Sequence, residues 1–290
     1  MNVPSITIKQ LLEAGVHLGH KTFRWNPKMQ KFIFGSKDSI HIIDLVKTLE
    51  MTSKALHEIH KCISSGGKIL LVSTKKQAAE TIATLAKDTS QFFVNHRWLG
   101  GMLTNWKTIS NSIKRYKKIS EDIKKEDTGF TKKEILKMGV QKDKLERSLG
   151  GIAEMKQVPN MIFIIDTNIE ALAVAEAKKL KIPIVAVVDT NSDPTDITYP
   201  IPGNDDARRS INLYCDLIKE TILDAQKNLV TANIEESEIL EKNKEKINHK
   251  ESKIEKKTVI TTAETKKNTT VKKPISIFSK IKSFASKKSK

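Results

Sequence analysis

The segment from residue 161 to residue 188, MIFIIDTNIEALAVAEAKKLKIPIVAVV, decides the fold. It begins and ends with uncharged runs of aliphatic and aromatic residues, Met161–Ile165 and Ile184–Val188. Strands that are buried on both faces have this composition. Between the two runs, Asn168 to Leu180 carries apolar residues at helical spacing, and Pro183 prevents the helix from continuing. The segment therefore predicts a strand–helix–strand unit of a parallel sheet.

The same alternation extends toward the N-terminus. Two further apolar runs, KILLVS at Lys68–Ser73 and QFFV at Gln91–Val94, predict strands. Helical patterns precede and separate them, one capped by Asp44 and ending at Ser64, the other from Lys76 to Ala86. Strands that alternate with helices indicate an α/β fold, in which a parallel sheet has helices on both faces.

Two segments depart from this alternation. Residues 5–43 begin with the capping box Thr7-x-x-Gln10 of a short helix and continue as a loop rich in Lys, Arg and Trp. Residues 105–150 contain two apolar stripes at helical spacing on either side of the turn EDTG, which predicts an inserted α-helical coiled-coil hairpin. The predicted sheet domain then consists of residues 1–104 and 151–230.

The charge of the chain indicates a polyanionic partner. The 290 residues carry 51 Lys and Arg against 34 Asp and Glu, a net charge of +17. Such an excess favours nucleic acid or an anionic membrane surface. No apolar run approaches the roughly 18 residues that a membrane span requires, and the two cysteines fit a reducing cytosol. We therefore expect a cytoplasmic protein with no membrane partner.

The C-terminal end of the chain differs from the rest in composition. Residues 231–290 contain sixteen Lys, eight Glu and no Gly or Trp, which predicts a basic, disordered tail. Such a tail either binds a partner or keeps the protein soluble. A basic adaptor that binds membranes or acidic proteins through this tail is one hypothesis for the function.

Aspartates after the strands raise a second hypothesis, a metal-dependent phosphoryl-transfer enzyme. Asp166, Asp189, Asp193 and the pair Asp205–Asp206 lie where α/β sheets bind ligands. The alternative is that they cap helices and stabilise loops. The sequence has no phosphate-binding glycine loop, no G-x-S-x-G motif and no H-E-x-x-H motif. We therefore expect no catalytic residues, no required cofactor and no enzyme activity.

A structural zinc site at the same sheet edge is a further hypothesis. Asp189 and Asp205 follow elements that should converge there, and His17 in the stretch GVHLGH supplies a nitrogen if the N-terminal segment folds over that edge. Nitrogen and carboxylate ligands together suit Zn²⁺. The alternative is that His17 is an interior histidine hydrogen-bonded to one of these aspartates.

Three long stretches resemble a known protein family. They are EAGVHLGHKTFRWNPKMQKFIFG at Glu13–Gly35, FFVNHRWLGGMLTNWKTI at Phe92–Ile109 and IPIVAVVDTNSDPTDITYPIPGNDDARRSI at Ile182–Ile211. With the pattern between them, they make residues 1 to about 228 similar to the bacterial S-two family of small-subunit ribosomal proteins. The lysine-rich tail lies outside this resemblance.

The resemblance implies both a fold and a function. The implied fold is a Rossmann-like or flavodoxin-like sheet domain with an inserted coiled-coil hairpin. The implied function is a structural role in the small ribosomal subunit, with binding to its large rRNA late in assembly, near the junction of head and body. Other small-subunit proteins are implied partners, among them the large multi-OB-fold protein that captures mRNA and whose docking such a protein supports. The implied location is the ribosome in the cytoplasm.

Two loops combine the residue types that bind RNA. Lys and Arg attract phosphates, and aromatic rings stack on bases. The second loop also contains Gly100–Gly101, where the missing side chains let a backbone come close. Packing in the core is the alternative for Trp25 and Trp98. The predicted RNA-binding residues are Lys21, Arg24, Trp25, Lys28, Lys31, His96, Arg97 and Trp98.

Overall fold

Two β-sheets, seven α-helices and three short 3₁₀ helices are present in the part of the chain that the structure describes. The structure is a computed structural model, and it describes residues 4–124 and 130–229. In chain order, the strands are β1 (Leu18–Lys21), β2 (Ile33–Lys37), β3 (Ile40–Ile43), β4 (Ile69–Val72), β5 (Phe92–Val94), β6 (Met161–Ile165), β7 (Ile184–Val188) and β8 (Tyr199–Pro202). The helices are α1 (Ile8–Glu13), α2 (Leu45–Ser64), α3 (Ala79–Thr89), α4 (Trp106–Lys124), α5 (Lys132–Leu149), α6 (Ala171–Lys179) and α7 (208–229).

The larger sheet is parallel throughout. Its strand order is β5-β4-β6-β7-β8, and each neighbouring pair runs in the same direction. The chain therefore enters the sheet at β4, adds β5 on one side and then adds the other three strands in sequence on the opposite side. This is the flavodoxin-like order, in which the sequence reverses direction between the first and third strands. The predicted α/β fold with a parallel sheet is confirmed.

Alternation along the strands divides the buried residues into two cores. In β4, Ile69 and Leu71 belong to one core, while Leu70 and Val72 belong to the other. The first core also contains buried residues of α1, α2, α3 and α7, and the second contains residues of α4 and α6. Successive strand residues point to opposite faces, so helices cover both faces of the sheet, as predicted.

The N-terminal segment is more ordered than the predicted loop. Residues 18–43 contain the three strands of a small antiparallel sheet, in the order β1-β3-β2, together with short 3₁₀ helices at Thr22–Arg24 and Pro27–Phe32. The prediction of a continuous loop was wrong because these strands are only four or five residues long, and polar residues interrupt their alternation. The capping box of α1 is present as predicted, with Thr7 and Gln10 bonded to each other's backbone.

Strand β8 was not predicted either. Its sequence, YPIP, contains two prolines, and proline cannot donate a hydrogen bond to a sheet ladder. The strand is nevertheless possible because it lies at the edge of the sheet, next to β7 alone, where proline is tolerated.

Helix boundaries follow the capping residues. Asp44 accepts a hydrogen bond from the backbone of Val46 and starts α2, as predicted. Helix α3 begins three residues later than predicted and ends three residues later, where Ser90 adopts a left-handed conformation. Helix α6 begins at Ala171 because residues 167–170 form turns.

The helices α4 and α5 contact each other and occupy the region predicted as a hairpin. Ile109, Ile113 and Leu149 are buried in the second core, whereas Leu136 and Val140 are exposed. The coiled-coil character and the proposed domain boundaries stay predictions. The turn EDTG, residues 126–129, and the predicted tail, residues 231–290, lie outside the described residues.

Candidate nucleic-acid interface and acidic cluster

One carboxylate anchors the loop that follows β5. The Glu176 side chain on α6 accepts hydrogen bonds from the indole of Trp98 at 3.0 Å and from the backbone nitrogens of Gly101, Leu103 and Thr104 at 2.8, 2.9 and 3.0 Å. Gly101 has a φ of +82°, a conformation that favours glycine. Although burial opposes the charged form, these hydrogen bonds lower the pKa of Glu176. A single ionised group therefore accepts hydrogen bonds from four positions of this loop.

Trp98 is part of the core and not of the exposed surface. Only 6% of its surface is exposed, and its indole N–H is donated to Glu176. An RNA base cannot stack on a ring whose faces are covered by protein. The assignment of Trp98 to RNA binding is therefore corrected, and the alternative of a packed aromatic residue applies.

His96 and Arg97, which precede this tryptophan, are exposed. They lie at the end of the loop segment that leads from β5 to Trp98, so the buried tryptophan fixes the point from which they project. Sequence reasoning missed Glu176, because a single glutamate on a helix gives no sign of which loop it holds.

The N-terminal loop presents the other predicted residues. Lys21, Arg24, Trp25, Lys28 and Lys31 are all exposed. The Trp25 ring, 36% exposed, lies 5.4 Å from the His41 ring between centroids, and the Arg24 guanidinium lies 5.5 Å from the centre of the Phe23 ring. Exposed cations and aromatic rings are the groups to which RNA phosphates and bases bind in other proteins.

Two contacts attach this loop to the segment after β7. The backbone nitrogen of Asn26 donates to the carbonyl oxygen of Thr190 at 2.8 Å, and the Lys28 ammonium lies 2.6 Å from a carboxylate oxygen of Asp193. The Lys28 ammonium and the hydroxyl of Thr195 lower the pKa of Asp193 to about 2. Asp193 is therefore a loop-stabilising residue.

An acidic cluster occupies the carboxyl edge of the parallel sheet. Asp166 follows β6, Asp189 follows β7, and Asp205 precedes α7; all three are buried. The Lys75 ammonium, in the loop after β4, lies 3.1 Å from Asp166, 2.9 Å from Asp205 and 2.6 Å from Asp206. Parallel strands end at one edge, which explains why residues so distant in sequence meet here. The sequence analysis placed the aspartates correctly but missed Lys75.

The charges in this cluster shift one another's protonation. Burial, together with the nearby Asp189 and Asp166, raises the pKa of Asp205 to about 7. Although burial opposes its charge, the carboxylates around Lys75 raise the pKa of its ammonium well above its ordinary value. The second carboxylate oxygen of Asp205, Oδ2, is buried and has no hydrogen-bond partner among the described residues.

The histidine in this cluster is His20 and not the predicted His17. His20 Nδ1 lies 2.9 Å from Asp189, and His20 Nε2 lies 3.4 Å from Asp206. The hydrogen bond that the His20 ring donates to Asp189 is the main cause that raises the pKa of His20. Ligand atoms of His20, Asp189 and Asp205 all lie within 4.8 Å of one another. The N-terminal segment does fold over the sheet edge, which was the condition for a histidine ligand, but the histidine that reaches the aspartates lies three residues later in the chain.

His17 occupies a different environment. Its carbonyl oxygen accepts a hydrogen bond from the backbone of Ile43, and its Nδ1 is buried without a partner among the described residues. The alternative for His17 was an interior histidine hydrogen-bonded to one of the aspartates. In the structure, the histidine with that hydrogen bond is His20, which contacts Asp189.

Comparison with known proteins decides the family. The family described as Ribosomal protein S2 matches residues 11–225. The chain belongs to the ribosomal protein S2 family. Relatives from Sinorhizobium medicae and Rhizobium meliloti are each 56% identical over 224 residues, and one from Agrobacterium fabrum is 55% identical over the same length. Each alignment covers 77% of this chain and 88% of the relative, which is named small ribosomal subunit protein uS2.

Membership in the ribosomal protein S2 family determines the class of function. The chain is a structural protein of the small ribosomal subunit and not an enzyme, and it is located in the ribosome of the cytoplasm. The hypothesis of a phosphoryl-transfer enzyme was therefore wrong, and the acidic cluster has a role other than catalysis. In residues 4–124 and 130–229, no helix combines the length and apolar character that crossing a membrane requires.

Proposed function

We propose that this member of the ribosomal protein S2 family binds small-subunit rRNA with two loops on one side of its sheet domain. The proposed contact residues are Lys21, Arg24, Trp25, Lys28, Lys31, His96 and Arg97. The observation that carries the proposal is that both loops pack into the same core. Met29 and Phe32 of the first loop and Trp98, Met102 and Leu103 of the second all belong to the second core. The exposed cations are thus attached to one rigid support.

The distance between the loops supports their joint action. The first loop is attached at the end of β7, and the second follows β5, which lies three strand positions away in the sheet. Neighbouring strands are about 4.8 Å apart, so the two attachment points are separated by roughly 14 Å. Both loops therefore lie within reach of one RNA element.

Incorporation into small subunits tests this proposal. We expect the double variant Arg24→Gln/Arg97→Gln to enter small subunits poorly while its thermal unfolding stays unchanged, because both side chains are exposed. For each phosphate contact removed, the slope of the logarithm of the RNA-binding constant against the logarithm of salt concentration should decrease in magnitude by about one. The matched control is Lys61→Gln/Lys179→Gln, which removes two exposed charges elsewhere. Normal sedimentation of the Arg24/Arg97 variant with small subunits would contradict the proposal.

We also propose that the protein supports docking of the large multi-OB-fold protein of the small subunit. The family resemblance of residues 1 to about 228 supports this partner. Small subunits that lack the chain should retain less of the multi-OB-fold protein after sedimentation, and adding the purified chain should restore it. Equal retention with and without the chain would argue against this role.

A structural zinc ion is proposed for the acidic cluster. The chemistry of His20, Asp189 and Asp205 suits Zn²⁺, and the buried, unpartnered Oδ2 of Asp205 is a free ligand atom among the described residues. Zinc bound there would join the N-terminal segment to the sheet edge. Elemental analysis should find about one zinc per chain, lost in His20→Ala and retained in His17→Ala. Substoichiometric zinc in the unmodified protein would exclude the site.

The domain organisation is proposed in the same way. Residues 105–150 form a hairpin inserted between the two parts of the sheet domain, 1–104 and 151–230. Burial of Ile109, Ile113 and Leu149 in the second core supports a hairpin that is attached by its base. Replacing residues 116–144 with a short flexible linker should leave a cooperatively folding sheet domain, and loss of cooperative unfolding would contradict these boundaries.

A further inference from the structure

A trough runs between the edge strand β5 and the base of the helices α4 and α5. It consists of three neighbouring hollows of about 590, 600 and 480 Å³. The first and second share Phe93, Tyr116 and Gly151, and the first and third share His96 and Arg147. The hollows are therefore continuous, and we refer to them as the β5 trough. Each is within the size range of sites that hold small organic ligands.

The floor of the trough forms where the backbone at Gly151 lies close to Phe93 of β5. A Cβ atom at Gly151 would collide with the carbonyl oxygen and the ring of Phe93. The glycine therefore lets the 3₁₀ helix Gly150–Ile152 lie directly against the edge of β5. This contact places the backbone of residues 150–152 beside the strand edge, and Gly150 and Gly151 line the trough.

Cations outnumber anions along the trough. Its walls carry Lys87, Arg97, Lys117, Lys144 and Arg147 against three carboxylates, those of Asp143, Glu146 and Glu154. Two aromatic rings, Phe93 and Tyr116, lie in the region that the first two hollows share, and both are partly exposed. Cations along a groove combined with accessible rings are the combination that binds single-stranded nucleic acid.

We propose that the β5 trough binds a single-stranded segment of RNA, with bases against Phe93 and Tyr116 and phosphates on the surrounding cations. This inference rests on the proposed binding of rRNA, and it extends that interface, because His96 and Arg97 belong to both surfaces. The trough is also lined by residues of α4 and α5, and these residues are not among the RNA contacts predicted in the two loops. Duplex RNA is excluded by the aromatic contacts, since paired bases do not offer their faces to a side chain.

The observations favour RNA over an acidic peptide. An acidic peptide would use the cations but would have no partner for the faces of Phe93 and Tyr116. The carboxylates of Asp143 and Glu146 repel the anionic groups of either partner, but they can accept hydrogen bonds from the N–H groups on the edges of bases, which acidic side chains lack.

Binding of a short, fluorescently labelled single-stranded RNA to the purified full-length protein tests the inference. Tyr116→Leu should weaken binding by about fivefold or more, because stacking on an aromatic ring is lost. Tyr116→Phe keeps the ring and should stay within about twofold. Lys87→Gln/Arg147→Gln should weaken binding about tenfold. The matched control Lys107→Gln/Arg115→Gln removes two exposed charges of α4 outside the trough and should have a much smaller effect.

The outcomes are decisive in both directions. Equal losses in the two charge variants, or equal binding by the Leu and Phe variants, would overturn the inference. If Tyr116→Leu does not fold, the charge variants decide alone. Displacement of the RNA by a polyglutamate peptide at equal charge concentration would indicate an acidic protein partner and would also overturn it. The Arg24→Gln/Arg97→Gln variant can enter small subunits poorly while Tyr116→Leu and Lys87→Gln/Arg147→Gln bind RNA normally. That result would support the proposed function and contradict RNA binding in the β5 trough.

Discussion

The two loops of the proposed RNA interface have similar sequences but are held in different ways. Each combines a tryptophan with an arginine and other cationic or polar residues. The loop after β5 buries its tryptophan and is anchored by Glu176, which accepts four hydrogen bonds at 3.0 Å or less. The N-terminal loop leaves Trp25 at the surface. Met29 and Phe32 pack into the second core, but the polar contacts of this loop with the segment after β7 are an exposed ion pair, Lys28–Asp193, and one backbone hydrogen bond.

This difference shows that composition alone does not give a residue's role. Partly buried hydrogen bonds to a charged group contribute more to stability than exposed ion pairs do. In the proposed interface, the loop after β5 therefore has few contact residues and strong polar anchoring. The N-terminal loop has more proposed contact residues and weaker polar anchoring.

Removing Glu176 should give the largest effect. Glu176→Ala leaves the indole of Trp98 and three backbone N–H groups without their acceptor, and we expect a loss of roughly 3 kcal/mol in the free energy of unfolding. Urea denaturation of the full-length protein measures this loss. The control Glu220→Ala removes an exposed carboxylate on α7 and should change stability by less than about 0.5 kcal/mol. Equal effects of the two variants would show that Glu176 does not anchor the loop.

The two tryptophans should respond in opposite ways. Trp98→Phe removes a buried indole and its hydrogen bond to Glu176, which should cost about 1–2 kcal/mol in unfolding free energy. Trp25→Phe should leave stability within about 0.5 kcal/mol. Trp25→Ala should weaken RNA binding, because a stacking surface is lost. Weaker RNA binding by Trp98→Phe at unchanged stability would reverse the roles assigned to the two residues.

Lowering the pH should weaken the attachment of the loop after β5 to Glu176. The pKa of Glu176 is lower in the folded protein than in the unfolded chain, where a glutamate titrates near about 4.3. The stabilisation from this group is therefore complete above the unfolded pKa and is lost as the pH falls through the folded pKa. Urea midpoints measured from about pH 6 to about pH 3 should fall less steeply for Glu176→Gln than for the unmodified protein. Parallel curves would mean that Glu176 is not preferentially ionised in the folded state.

The sequence predicted the central strands of the parallel sheet better than it predicted the edge strand β8 and the small N-terminal sheet. Strands such as Met161–Ile165 are buried on both faces, so their apolar runs stand out from any neighbouring segment. The strands of residues 18–43 are short and exposed on one side, and YPIP of β8 carries prolines that only an edge strand tolerates. Such strands form because they pair with strands elsewhere in the chain. A local sequence pattern does not indicate those pairings.

The candidate site was predicted in part for the same reason. Loops rich in cations were recognisable from composition, and Asp189 and Asp205 from their positions after predicted elements. The identity of the histidine beside them depends on where β1 crosses the sheet edge, and a shift of three residues exchanges His17 for His20. The side-chain contacts of Lys75 with Asp166 and Asp205 span 91 and 130 positions of the chain. Those of Glu176 with the loop after β5 span 72 to 78 positions.

Breaking the exposed ion pair of the N-terminal loop should give the smallest effect. The Lys28 and Asp193 side chains are 56% and 48% exposed, so water and salt screen their attraction, and Lys28→Met should cost at most about 1 kcal/mol of unfolding free energy. NMR titration should show the pKa of Asp193 rising from about 2 without reaching its ordinary value, because Thr195 still donates two hydrogen bonds to its carboxylate. A loss of stability as large as that of Glu176→Ala would mean that the two loops are held with equal strength, and the difference in their burial would then have no energetic consequence.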